Sequence, residues 1–147
     1  MMSYTLYNIV MRLGMLVFNI INHGKCKSES SPKSRLTKMA AGQKGLLQTI
    51  NERLEDCEKE KIWIHVASLG EYGVARPIIQ QLRTSNYAIV LTVFSPSAYE
   101  VLESKSTVKN EVDYVFYLPW DTHRNASRFL DIVNPVRAVF IISEYWI

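Results

Sequence analysis

The sequence predicts an α/β fold in which helices cover a parallel β-sheet. Short apolar runs rich in β-branched and aromatic residues recur after residue 61, and helical stretches of roughly ten residues separate them. The second run is apolar almost without alternation, which is typical of a strand buried on both faces of a parallel sheet. A length of 147 residues, with 48% hydrophobic and 21% charged residues, suits a globular domain and excludes a disordered or polytopic membrane protein.

The first apolar segment, residues 4–21, is about as long as a helix that spans a bilayer. Its apolar side chains recur every three or four positions, and Asn8, Arg12 and Asn19 fall on the opposite stripe. A signal peptide is disfavoured because no basic residue precedes the run, and a helix packed on the protein's own core is the other alternative. We expect residues 1–21 to be a membrane-anchoring helix, because the basic cluster that follows suits anionic lipid headgroups.

Residues 22–60 are expected to form a basic connector and then a helix. From Asn22 to about Gly45 the chain is rich in Ser, Lys and Gly and contains Pro32, which is typical of a solvated linker rather than a packed element. This stretch contains one acidic residue, Glu29, and several basic ones. The basic residues are Lys25, Lys27, Lys33, Arg35, Lys38 and Lys44. Apolar residues then keep helical spacing over about residues 44–60.

Residues 61–147 are expected to form the sheet. The predicted strands are 62–67, 87–94, 114–118 and 136–142, and a helix follows each of the first three strands. Ser95-Pro96 and Asp121 supply the signals for a helix start, namely a capping side chain and, after Ser95, a proline at the first helical position. Pro77 is unfavourable within the helix predicted after the first strand, because an internal proline removes an N–H group and clashes with the preceding turn.

Polar clusters fall at the predicted strand ends, where ligands of open parallel sheets bind. The clusters are 68–71, 95–97, 119–121 and 143–146. Glu71 is the most suggestive residue, because it follows a strand and a flexible glycine, Gly70, and lies where a helix begins. The alternative is that Glu71 only caps that helix, since acidic residues are common in first turns.

Other motifs exclude several functions. The chain has no dinucleotide fingerprint, no P-loop and no G-x-S-x-G elbow, and its basic excess lies in the connector, so nucleic acid is not an expected partner. His65 is predicted to be a packed core histidine and His123 a solvated one. The tryptophans Trp63, Trp120 and Trp146 could stack on a sugar, although such residues more often pack. We expect no metal and no cofactor.

Several of these segments resemble motifs of the 3-deoxy-D-manno-octulosonic acid (Kdo) transferases. Residues 65–71 resemble the family's H-x-x-S-x-G-E motif, and residues 117–121 are similar to its Y-L-P-x-D segment. Three further segments are similar to family motifs. Phe129-Leu130 with Asn134-Pro135 resembles its R-F-L-x-x-x-x-P stretch, Gly42-Gln43-Lys44-Gly45 resembles G-R-K-G, and Ser143-Glu144-Tyr145-Trp146 resembles E-x-W. The likeness covers nearly the whole chain.

The resemblance implies a fold and a set of site residues. Residues 61–147 would be a Rossmann-like, acceptor-binding half-domain, the N-terminal half of a glycosyltransferase B fold, truncated at its C-terminal side. Glu71 would be the general base, Ser68 and Gly70 would form the loop that presents it, and Glu144 would bind the acceptor or shape the site. Two positions depart from the family: Gln43 replaces an arginine and Ile142 a glutamate.

The resemblance also implies partners and a location. Family members transfer Kdo from CMP-Kdo to the lipid A precursor, at the cytoplasmic face of the bacterial inner membrane. Because the donor would bind mainly the missing second half, we expect this chain alone to be inactive without a separate C-terminal half. Besides the acceptor, we expect the anionic membrane surface as a partner. The alternatives are a membrane-anchored, non-catalytic binder of lipid A or lipid phosphate and a small Rossmann-like protein that binds nucleotide sugars.

Overall fold

The computed structural model describes residues 32–141, together with Ile9 and Leu13. In this range the chain forms the helices α1 (Pro32–Gln43), α2 (Leu46–Leu54), α3 (Leu69–Leu82), α4 (Pro96–Ser104), α5 (Ser106–Glu111) and α6 (His123–Val133). The strands are β1 (Lys61–Val66), β2 (Ala88–Val93), β3 (Tyr114–Tyr117) and β4 (Pro135–Phe140). The predicted membrane anchor otherwise lies outside the described residues, and none of the described helices is long and apolar enough to cross a membrane.

The sheet confirms the predicted parallel α/β fold. Its strand order is β3-β2-β1-β4, and every neighbouring pair is parallel. The chain moves outward from β1 through β2 to β3 and then crosses to the other side of β1. The strand order therefore reverses between β1 and β4, which is where ligands bind in sheets of this kind.

Helices cover both faces of the sheet because the side chains of β1 alternate between them. Ile62, Ile64 and Val66 join the core formed with α3, α4 and α5, whereas Trp63 joins a second core with α2 and α6. The side chains of β2 are buried at all six positions, as expected for a strand covered on both sides. Burial of each large apolar side chain stabilises the fold by about 1.5–3 kcal/mol.

Trp63, His65 and Thr92 make buried polar contacts with one another at the sheet. The indole N–H of Trp63 donates to the hydroxyl of Thr92 over 2.8 Å, and Nδ1 of His65 lies 2.9 Å from the same oxygen. The ring of Trp63 also packs edge-on against Phe129 and Phe140, at centroid distances of 4.8 and 4.9 Å. The prediction of a core histidine at position 65 is confirmed, and Trp63 is a packing residue rather than a sugar-stacking one.

The prediction of an unstructured connector over residues 22–45 is wrong for its second half, because α1 occupies Pro32–Gln43. Pro32 stands at the first helical position, where a missing N–H costs nothing, so it starts the helix rather than breaking it. Tertiary contacts hold the helix in place. Gly42 packs directly on the ring of Tyr117, and Lys38 pairs with Glu100 at 2.8 Å.

Smaller corrections concern helix ends. The helix predicted over 44–60 is α2 and ends at Leu54, and α5 was not predicted. Thr122, not Asp121, caps α6, because the Thr122 hydroxyl accepts the N–H of Asn125 at 3.3 Å. Helix α3 continues through Pro77, which lies on the exposed side of the helix. The carbonyl group four residues earlier receives no N–H from the proline, but on this side water can bind it.

Candidate functional site

Helix α3 begins directly after β1, and Ser68 makes this turn. Ser68 has an extended backbone, with φ −141° and ψ 167°, and its hydroxyl accepts the N–H of Glu71 at 3.3 Å. A serine followed three residues later by a glutamate is a recognised pattern of helix starts, the capping box. In it the serine side chain accepts the backbone N–H of the glutamate, and the glutamate side chain accepts a backbone N–H near the serine. The pattern fixes the position of Glu71 at the carboxyl end of β1.

The carboxylate of Glu71 is held by one of its two oxygens. Oε2 accepts the backbone N–H of Ala67 at 2.6 Å, and the side chain is half-buried. Among the described residues, Oε1 accepts no hydrogen bond. Glu71 thus caps the helix, as one interpretation of the sequence predicts, and it also presents a fixed oxygen at the sheet edge.

Of the two residues expected to form the loop before Glu71, Ser68 lies in the turn after β1, whereas Gly70 lies in the first turn of α3. The capping hydrogen bonds of Ser68 and Glu71 are the reason, because they start the helix at Leu69. Among the atoms of the described residues, a methyl group at Gly70 would meet only the Ser68 hydroxyl, at 3.9 Å. The absent side chain therefore leaves open surface beside Glu71.

Polar contacts fix helix α3 to α5 beyond the first turn. The hydroxyl of Tyr72 donates to Glu111 at 2.6 Å, and Nε of Arg76 donates to the same carboxylate at 2.8 Å. The hydrogen bond from Arg76 is the main reason why the pKa of Glu111 is lowered to about 2. Burial, and then the hydrogen bond to Glu111, raises the pKa of Tyr72. Sequence patterns did not reveal this cluster, because its members lie 39 and 35 residues apart.

The end of β4 lies beside the end of β1, at the point where the strand order reverses. His65 pairs in register with Phe140, and the N–H of Ile141 donates to the carbonyl of His65 at 3.1 Å. Glu144 and Trp146 follow this strand but lie outside the described residues, so the role of Glu144 stays a prediction. Two exposed aromatic residues flank the end of β1, Phe94 at 44% and Phe140 at 41% exposure. Their exposure could not be predicted from the sequence, because both belong to apolar runs that are typical of buried strands.

A cavity opens at the end of β3. It measures about 320 Å³ and is lined by the α1–α2 turn, the first turn of α2, Pro119-Trp120, Asn125 and Arg128. Gln43 holds the loop at its base: its amide donates to the carbonyl of Leu118 at 2.8 Å and accepts the N–H of Trp120 at 3.1 Å. The amide of Asn125 donates to the carbonyl of Trp120 at 3.0 Å.

The described residues contain no group of three or more side chains suited to a metal ion. Of the predicted histidines, His65 is buried and His123 is exposed at the start of α6. The structure thus places Ser68, Gly70 and Glu71 together at the end of β1. Trp120 lies two strands away, at the cavity.

The comparison with protein families matches residues 41–147 to the model of the 3-deoxy-D-manno-octulosonic-acid transferase (kdotransferase). A 3-deoxy-D-manno-octulosonic acid transferase of Aquifex aeolicus is 35% identical over 95 residues, which are 65% of this chain and 26% of the relative. A transferase of the same name from Haemophilus influenzae is 33% identical over 87 residues, 58% of this chain and 20% of the relative.

A bifunctional glycosyltransferase/methyltransferase of Fusobacterium nucleatum is 27% identical over 103 residues, 66% of this chain and 16% of the relative. No solved structure matches. The matched segments cover about a quarter or less of the length of these curated relatives.

Proposed function

The chain belongs to the 3-deoxy-D-manno-octulosonic-acid transferase family, and from this premise we propose that it is the acceptor-binding part of a Kdo transferase. In this proposal Glu71 is the general base, the donor is CMP-Kdo and the acceptor is the lipid A precursor. The donor binds mainly to a second half of the enzyme. The geometry of Glu71 at the end of β1 supports the proposal more than any other observation.

Glu71 meets the requirements of a base in three respects. The hydrogen bond from Ala67 to Oε2 orients the carboxylate, while Oε1 makes no hydrogen bond within the described part of the chain. The residue lies beside the point where the strand order reverses, which is the usual ligand position. Finally, a base must reach within about 3 Å of the proton it removes, and the bare surface at Gly70 allows such an approach.

The reaction follows from these groups. Oε1 of Glu71 accepts the proton of the acceptor hydroxyl, and the hydroxyl oxygen attacks the anomeric carbon of Kdo. A carbon–oxygen bond forms to the acceptor while the bond between the anomeric carbon and the phosphate oxygen breaks, and CMP leaves with the electron pair. Ser68 and Gly70 support the base through the helix start, and Glu144 binds the acceptor or shapes the site.

The same proposal gives the chain a location. The amphipathic segment of residues 1–21 and the basic residues that follow it suit the anionic cytoplasmic face of a bacterial inner membrane. A lipid-linked acceptor lies in that surface, so an anchor there brings the acceptor to the edge of the sheet. Transfer then requires the donor-binding half as a partner.

Replacement of Glu71 by glutamine tests the proposal. The experiment measures transfer of labelled Kdo from CMP-Kdo to a lipid A precursor, by the chain combined with a donor-binding half. Glutamine keeps an oxygen that accepts the N–H of Ala67, so the helix start is retained while the base is lost. Glu71→Gln is expected to lower the turnover number about 10²–10⁴-fold, as for loss of a general base.

Glu58→Gln is the matched control, because Glu58 is an exposed glutamate that makes no hydrogen bond or ion pair within the described residues. It removes the same charge and should leave the turnover number within about twofold, since exposed substitutions away from a site have small effects. Equal turnover of the Glu71→Gln variant and the parent protein would refute the role of Glu71 as base.

The capping hydrogen bond between Glu71 and Ala67 favours a second candidate function, a non-catalytic module that binds the acceptor. In that case Glu71 has a structural role only. Such a module would bind the lipid A precursor equally well before and after Glu71→Gln, and no donor-binding half would produce transfer. Detectable transfer by the parent protein excludes this candidate.

A further inference from the structure

The cavity at the end of β3 has no part in the proton transfer assigned to Glu71. Its volume of about 320 Å³ is near the lower limit for small-molecule pockets, which measure about 300–1,000 Å³, and therefore suits a ligand of monosaccharide size. It opens at the same edge of the sheet as Glu71, with β2 between the two sites. The cavity is thus available for a second group along that edge.

The charge at this cavity is positive. Arg128 lines it from α6, is exposed, and makes no ion pair or hydrogen bond with any described residue. The described residues that line the cavity include no aspartate or glutamate. A guanidinium group presents paired N–H donors that match two oxygens of a phosphate, so the cavity favours an oxyanion of this geometry.

Besides Arg128 and several apolar residues, the lining includes side-chain amides and an indole ring, which are groups that can contact a sugar. Gln43 and Asn125 carry amides whose orientation is fixed by hydrogen bonds to the backbone at positions 118 and 120. Trp120 is half-buried at the cavity, and an indole ring can pack against the apolar face of a sugar. Amides of fixed orientation, an aromatic ring and an arginine together suit a sugar that carries a phosphate.

We propose that this cavity binds a phosphorylated monosaccharide unit, with its phosphate on Arg128 and its ring against Trp120. Two strand spacings separate the ends of β3 and β1, about 10 Å. A phosphorylated sugar of the acceptor held here would therefore lie one or two sugar rings from Glu71. The binding itself is independent of transfer, whereas its place in the acceptor rests on the proposed function.

Calorimetric titration of the full 147-residue chain tests the proposal, with glucose 1-phosphate as the probe. Glucose 1-phosphate is expected to bind, and neutral glucose should bind at least tenfold more weakly. Inorganic phosphate should compete with it, which separates recognition of the anion from recognition of the sugar. If inorganic phosphate binds as tightly as glucose 1-phosphate, the site recognises a free oxyanion only and the proposed sugar contact is wrong.

Two arginines of α6 provide a matched pair. Arg128→Gln should weaken the affinity for glucose 1-phosphate at least tenfold. Arg124→Gln, on the same helix, removes another exposed guanidinium, which pairs with no described residue and does not line the cavity, and should change the affinity less than twofold. An equal loss in both variants, or no binding by the parent chain, would overturn the proposal. Because both residues are exposed, thermal unfolding of both variants should match the parent.

Glu71→Gln separates this proposal from the proposed function. It should leave the affinity for glucose 1-phosphate unchanged, since Glu71 lies at a different strand end. Binding that depends on Arg128, together with an absence of transfer, would contradict the transferase alone. Transfer that depends on Glu71, together with no loss of affinity in Arg128→Gln, would contradict the phosphate site alone.

Discussion

The ends of β1 and β3 are built on the same plan but carry different chemistry. At each, a hydroxyl side chain caps the next helix by accepting the N–H of the residue three positions on: Ser68 accepts from Glu71, and Thr122 from Asn125, both at 3.3 Å. In each case the side chain of that third residue also forms a hydrogen bond with the backbone of the turn that precedes the cap. Glu71 accepts from Ala67, whereas Asn125 donates to the carbonyl of Trp120.

The difference lies in the functional group left over. A carboxylate held by one oxygen keeps a second, negatively charged oxygen that can accept a proton. An amide held by its NH₂ group keeps a neutral oxygen, which suits binding and not proton transfer. In the functions proposed above, the same kind of cap therefore supports a base at β1 and, beside Arg128, a binding cavity at β3, and the residue three positions after each cap carries this difference.

Trp63→Ala should have the largest effect on stability, because Trp63 connects the two ends through the second core. It lies on β1 and packs on Phe129 of α6 and Phe140 of β4. Loss of the ring should lower the free energy of unfolding by about 3–5 kcal/mol, as for other buried aromatic residues. Urea unfolding measures this change. Trp63→Phe keeps one aromatic ring but loses the bond to Thr92 and part of the packed volume, so it should cost less than Trp63→Ala. An equal loss in both variants would contradict the packing role.

Gly42→Ala should disrupt the β3 end alone. The added methyl group would collide with the ring of Tyr117, which is stacked on Tyr99 at 4.0 Å and has little room to move. We expect a loss of about 1–3 kcal/mol in the free energy of unfolding, as for other overpacked sites. Gly73→Ala is the control on α3, because a methyl group there would meet no atom of the described residues within 4 Å. It should stabilise the chain by about 0.5–1 kcal/mol through helix propensity, so destabilisation by both alanines would show that the clash is not the cause.

Acid should weaken the β1 side through Glu111. Its pKa is lowered from its usual value of 4.5 to about 2, chiefly by the hydrogen bond from Arg76. The folded state binds this proton less readily than the unfolded state, so the stabilisation is complete above about pH 4.5 and is lost as the pH falls toward 2. Glu111→Gln should cost about 1–2 kcal/mol at pH 7, since Arg76 is partly exposed, and should remove this part of the acid sensitivity. An unfolding free energy that depends on pH to the same extent in Glu58→Gln and Glu111→Gln would argue against this assignment.

The two caps should differ slightly in strength. Thr122 is 5% exposed, whereas Ser68 is only half-buried, so water can replace the lost hydroxyl more easily at position 68. We expect Thr122→Ala to cost about 1–2 kcal/mol and Ser68→Ala about 0.5–1 kcal/mol of unfolding free energy. Chemical denaturation at neutral pH measures both values. The reverse order would mean that Glu71 depends on Ser68 more than the contacts imply.

The elements that the sequence predicted best are those determined by local patterns. The apolar run of β2, the core position of His65 and the place of Glu71 after β1 all follow from residues close together in the chain. Helix α1 was missed because its support is distant: the hydrogen bond from Gln43 to Leu118 joins residues 75 positions apart. The cavity could not be predicted for the same reason, because Gln43 contacts the loop after β3 across a similar separation in the chain. The sequence showed only that Gln43 stands where the resembling motif has an arginine.

Strand β4 has a consequence for self-association. Within the described residues it is an edge strand, and its side chains at Val136 and Phe140 are 48% and 41% exposed. An uncovered strand with apolar side chains offers free N–H and C=O groups to another chain, which promotes aggregation. Pro135 at its start and the charged Arg137 in its middle oppose such pairing. These two residues therefore protect the chain's solubility at high concentration, and replacing both with valine should lower the concentration at which the protein precipitates.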